Sequence, residues 1–196
     1  LFVTIPLVFM LIFGNDFFAL WVPSEDNNFL HLLSILCGIE LIISLPLEVL
    51  WSVFMITNQL KFSTLFMLGN HLLTFIIVLL GVHFSKSAEI QLIILASTRT
   101  VLGLVRSLTF LPLYGAWCLR LSYKTFYHPI IKVLISFLVS SSLCLLIRFY
   151  IDATSWIELV VCGVICIMIC SISSMFLVLT KTDRNFIKDK ILQKIA

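Results

Sequence analysis

Long apolar runs separated by short polar breaks are the dominant pattern of this chain. Six runs stand out: residues 1–22, 29–56, 63–84, 90–116, 129–150 and 156–180. Each meets or approaches the roughly 20 mostly apolar residues that a membrane-crossing helix needs. The breaks at 23–28, 57–62, 85–89, 117–128 and 151–155 are short, which makes consecutive runs antiparallel neighbours. Strands are a poor fit. A membrane barrel shows segments of about ten residues with alternating character, whereas stretches such as 75–80 and 143–147 are continuously apolar. Inside a bilayer each segment must satisfy its own backbone hydrogen bonds, and helices do so. The pattern predicts an all-α, polytopic transmembrane bundle of about six helices spanning 1–180, followed by a basic tail at 181–196.

Composition agrees. Of 196 residues, 61% are hydrophobic and 12% charged, against roughly 45–50% and 25% in soluble domains. Lipid is the expected solvent for much of the surface. The net charge of +3 is too small to imply a nucleic-acid partner. The chain opens at Leu1 on an apolar run with no basic leader, so we read it as a fragment whose N-terminal part is missing. Six cysteines lie in or beside apolar runs without CxxC spacing, which favours free thiols.

Charge distribution predicts orientation. Lys61, Arg120, Lys124, Lys181, Arg184, Lys188, Lys190 and Lys194 fall on one side of the bundle, and Lys86 and Arg148 on the other. The positive-inside tendency puts the richer side, with the C-terminus, in the cytoplasm. Trp21, Trp117, Tyr127 and Trp156 sit at run boundaries, as interfacial aromatics do. The tail is either a short amphipathic surface helix carrying Phe186, Ile187, Ile191, Leu192 and Ile195, or a solvated basic end.

Charges inside the runs are the candidate chemistry. Each costs about 2.5–3.5 kcal/mol to insert, and such groups pair with one another or face water. Glu40 and Glu48 lie in the second run, Arg99 and Arg106 in the fourth. At about 1.5 Å per residue, Glu40 is roughly 18 Å and Glu48 roughly 30 Å from the outer end of their run. Arg99 and Arg106 are roughly 15 and 25 Å down theirs. These depths predict Glu40 level with Arg99 and Glu48 level with Arg106, either paired or facing one hydrophilic cavity. The arginines would fork onto phosphate or carboxylate oxygens of a substrate; alternatively, the pairs simply hold the two helices together. His71 is a possible proton-sensitive group, although a local interhelical hydrogen bond is the more ordinary role for it. Pro46, two residues before Glu48, is a hinge candidate. Cys162, Cys166 and Cys170 recur every four residues. Close helix packing explains such small residues better than a metal. No motif for nucleophilic or metal catalysis is present, and no cofactor is expected.

Several short motifs carry a resemblance. They are Thr4-Ile5-Pro6-Leu7, Phe13-Gly14 and Leu20-Trp21; Pro46-Leu47 followed by Thr57-Asn58-Gln59-Leu60-Lys61; Pro112-Leu113-Tyr114-Gly115-Ala116; Phe126-Tyr127-His128-Pro129-Ile130-Ile131-Lys132; and Lys181-Thr182-Asp183-Arg184 after the sixth run. Their order and spacing resemble the C-terminal half of the polysaccharide flippases. These are the O-antigen and capsule repeat-unit transporters of the multidrug/oligosaccharidyl-lipid/polysaccharide exporter superfamily. The resemblance implies one lobe of a two-lobed transporter in the bacterial cytoplasmic membrane. It would move a polyprenyl-diphosphate-linked oligosaccharide between leaflets without covalent chemistry, and its partners would be membrane lipid and the missing N-terminal lobe. The alternatives are a multidrug exporter of the same superfamily and a membrane polymerase or acyltransferase acting on lipid-linked sugars. The short outer loops argue against the enzyme.

Overall fold

The computed structural model describes residues 4–151 and 153–178. The basic tail at 181–196 lies outside the described residues. The described chain is all-α and contains no strand. It comprises α1 (Thr4–Trp21), α2 (Asn27–Leu47), α3 (Val49–Ile56), α4 (Leu60–Phe84), α5 (Ala88–Val105), α6 (Leu111–Leu119), α7 (Lys124–Arg148) and α8 (Trp156–Leu177), with a π-helical turn at Arg106–Phe110 joining α5 to α6. Six helical spans are long and apolar enough to cross a membrane. The protein is therefore a multi-pass membrane protein.

The starts of two spans are set by local chemistry. Asp26 accepts hydrogen bonds from the backbone of Asn28 and Phe29 at 2.9 and 3.2 Å, capping α2. Ser155 and Glu158 form a reciprocal capping box at the start of α8, which satisfies backbone donors that the helix itself leaves free.

Proline shapes two others. The second span breaks after Pro46, so that α2 ends at Leu47 and α3 begins at Val49, consistent with the loss of one backbone donor. The fifth was expected to begin at Pro129 but begins at Lys124. Pro129 sits close enough to the helix start that its missing N–H removes only one early hydrogen bond. The connection before α7 is correspondingly shorter than the sequence suggests.

Two apolar clusters hold the bundle. One joins α1, α7 and α8 through Val8, Ile12, Phe13, Cys144, Leu159, Cys162, Cys166 and Cys170. The other joins α2, α3, α6 and α7 through Leu47, Leu50, Phe54, Leu111, Tyr114 and Ile130. The cysteine stripe is thus core, packed where α8 meets α1 and α7. Beside it, Ser136 and Ser174 hydroxyls lie 3.3 Å apart, and Ser140 bonds Ser173. The α4 helix differs from all of these. Ser63 is its one buried residue, while Leu65, Leu68, Leu72 and Leu79 are exposed. It lies along α5 as an outer helix.

Candidate functional site

Two of the four charged residues of the second and fourth spans, Glu40 and Arg106, meet at the α2–α5 seam. Ala96, Thr100, Gly103 and Ser107 recur at helical spacing and are buried along this side of α5 and the π turn. Small side chains there let the two backbones approach. The Thr100 hydroxyl lies 2.5 Å from the Leu36 carbonyl of α2 and 2.9 Å from its own Ala96 carbonyl. Gly103 makes the notch that receives Glu40. A Cβ at this position would collide with the Glu40 carboxylate.

Within that notch Glu40 Oε1 accepts from Arg106 Nη2 at 3.3 Å. The two side chains are 11% and 14% exposed, so the pair is largely withdrawn from its surroundings. Glu40 therefore pairs with Arg106, in place of the expected levels of Glu40 with Arg99 and Glu48 with Arg106. Direction explains the difference. Side chains on a helix lean toward its N-terminus. A long arginine rooted below the carboxylate on α5 reaches back up to it, whereas comparing Cα depths alone favours Arg99. Glu48 is left exposed at the Pro46 break.

Arg99 is exposed, and among the described residues it has no hydrogen bond or ion pair. On α5 it occupies the arc between the α2 seam and the side where Ile94 packs against Gly81 of α4. The facing stripe on α4 runs through Ser63, Asn70, Thr74 and Gly81, which are buried or half-buried. His71 is exposed beside that stripe. With α4 antiparallel to α5, helical periodicity turns His71 to the same side as Arg99. The exposed stripe Cys37, Leu41, Leu45 and Glu48 on α2 turns to that side too. Helical periodicity thus sets Arg99 between these exposed stripes of α2 and α4, a furrow defined by azimuth. His71 and Arg99 are at similar depth, about 16–20 Å from the outer ends of their helices.

Directly beyond Arg106 the fourth span changes register. The Leu111 N–H bonds to the Arg106 carbonyl, closing a π turn. Pro112 follows, with no N–H to offer the Leu108 carbonyl four residues earlier. Tyr127 of α7 supplies the missing donor, its hydroxyl bonding Leu108 O at 2.6 Å. The perturbed backbone is satisfied from outside, as kinks in membrane helices commonly are. This turn was not foreseen from sequence, although Pro112 marks it.

A second ion pair was also missed. Arg148 Nη2 lies 3.2 Å from Asp16 Oδ1, and its guanidinium sits 5.8 Å from the centre of the Phe13 ring. It clamps the end of α7 to α1. Asp16 is a lone carboxylate inside the first apolar run, and that was the available signal. Also unforeseen, His31 packs its ring into the space at Gly14 and bonds the Met10 carbonyl at 2.8 Å.

Among the described residues no group of three or more His, Cys, Asp or Glu is placed to hold a metal ion. No family model, curated protein or solved structure matches this chain.

Proposed function

We propose that this chain is one lobe of a membrane transporter that flips lipid-linked polysaccharide repeat units, with the Arg99 furrow as one wall of the substrate path. The observation that carries the reading is Arg99: an exposed arginine without a partner, midway along a span. A guanidinium is too costly to leave against hydrocarbon, and intramembrane charges characteristically line watery cavities. Arg106 follows seven residues on, at the start of the π turn, where Glu40 holds it.

The charge balance favours an anionic substrate. Glu40 is occupied by Arg106, so Arg99 remains the free charge at this level. A planar guanidinium suits the oxygens of a diphosphate or an acidic sugar. The motif order described above supports a bacterial cytoplasmic membrane, and the Lys/Arg distribution supports a C-terminus on its inner side. Transport breaks no covalent bond, and no residue is assigned a catalytic role.

The test uses the full-length protein in cells lacking the native copy. Arg99→Ala should insert at normal levels and lower surface polysaccharide at least about tenfold, the scale of losing a charge-assisted contact. Lipid-linked intermediates should accumulate inside. Undiminished export by well-expressed Arg99→Ala would remove the basis of the proposal.

A further inference from the structure

Away from the furrow, an open groove runs between the beginning of α4 and the end of α6. Its volume is about 350 Å³, and its walls are Phe62, Phe66, Phe110, Leu113, Tyr114 and Trp117, with Thr109. The rings form a connected set. Phe66 stacks on Phe110 at 3.8 Å, Phe110 on Tyr114 at 5.2 Å, and Tyr114 on Trp117 at 5.6 Å. The Tyr114 hydroxyl is tied to the Gln59 carbonyl at 2.8 Å, which fixes the set against the turn before α4. Phe62, Leu113 and Trp117 are each more than half exposed. The groove is therefore preformed, apolar and open sideways, in a protein whose surroundings at this level are lipid.

Its mouth is basic. Lys61 is in the first turn of α4, Arg120 follows the last residue of α6, and Lys124 opens α7; all three are exposed. Glu48 is the one described carboxylate at this end of the bundle. Basic clusters at the membrane edge, next to apolar pockets between helices, are suited to anionic lipid headgroups.

We propose that the groove holds an acyl chain of an anionic phospholipid from the leaflet on the Lys61 side, with its phosphate held by Lys61 and Arg120. The apolar walls accept the chain, and the two cations select the headgroup. The site is separate from the Arg99 furrow and does not depend on what is transported there.

Native mass spectrometry of the full-length protein in mild detergent tests this. The probes are phosphatidylglycerol and phosphatidylcholine with identical chains. Phosphatidylglycerol should be retained preferentially. Lys61→Gln should reduce that preference about fivefold, and Arg120→Gln by a similar factor. Leu113→Trp, which fills the groove, should lower retention of both lipids while the melting temperature holds. Lys61→Gln changes only an exposed side chain, so it keeps the test valid should Leu113→Trp fail to fold. Equal retention of the two lipids would overturn the proposal, as would a preference unaffected by either charge removal. A Leu113→Cys thiol shielded from maleimide in delipidated full-length protein would also overturn it, because protein would then cover the groove.

Discussion

The α7–α8 seam and the α2–α5 seam are both lined by small residues, yet they use polarity in opposite ways. Between α7 and α8 the polar groups are neutral and satisfy one another: Ser136 with Ser174, and Ser140 with Ser173, beside a floor of cysteines. Among the described residues no charged side chain is buried there. Between α2 and α5 the same device, a stripe of Ala, Thr, Gly and Ser, makes room for a carboxylate and a guanidinium. One seam uses small residues to close a gap between helices. The other uses them to hold charge within the membrane, with a second arginine exposed beside it. Small-residue spacing alone therefore does not distinguish a packing seam from a functional one. The distinction lies in what the notch receives.

This contrast can be broken experimentally, starting from the largest effect. Glu40→Ala strands Arg106 in its notch and should cost about 3–5 kcal/mol of stability, the usual penalty for breaking a buried pair from one side. Reversible unfolding in mixed micelles reads it out. Replacing both members, as Glu40→Met with Arg106→Met, should recover most of that loss, since an apolar substitute for a buried pair is often neutral. A double variant as unstable as the single one would mean that the pair does more than compensate itself.

Gly103→Ala comes next. Its new methyl group meets the Glu40 carboxylate, and overpacking of this kind costs roughly 1–3 kcal/mol. Adding Glu40→Ala should relieve part of the cost, because the colliding group is then gone. Tyr127→Phe leaves the Leu108 carbonyl without its donor and should cost about 1 kcal/mol. The smallest effect is expected in the neutral seam. Ser136→Ala should change stability by only about 0.6 kcal/mol, the average for interhelical hydrogen bonds in membranes. If it rivals Glu40→Ala, the proposed difference between the seams collapses.

The sequence carried the architecture well because its strongest signal is physical and redundant. Continuous apolar runs have one solution in lipid, and all six spans appear, the second broken at Pro46 and the others within about five residues of their expected limits. Boundaries slipped where proline was read as a helix start: Pro129 is accommodated inside α7. The site was legible in its members, not in its pairing. Glu40 and Arg106 were both identified, but depth along a helix is one coordinate and pairing needs three. The lean of a side chain toward its helix N-terminus moves an arginine tip by about a helical turn, enough to exchange Arg99 for Arg106. Asp16 was overlooked because a lone carboxylate near a span end resembles a boundary residue. Its partner Arg148 lies more than 130 positions away, with nothing in local pattern to join them.

The central claim is that the side of α5 bearing Arg99 faces water, while the outer side of α4 faces lipid. Cysteine accessibility in the full-length protein addresses it most directly. With the native cysteines replaced, Leu95→Cys would report the furrow one turn from Arg99. Leu72→Cys would report the opposite side of α4 at about the depth of Arg99. A small, charged, water-soluble thiol reagent should modify Leu95→Cys readily in intact cells and leave Leu72→Cys unmodified. Equal protection of both positions would contradict the account, because Arg99 would then lie against lipid or packed protein instead of a water-filled path.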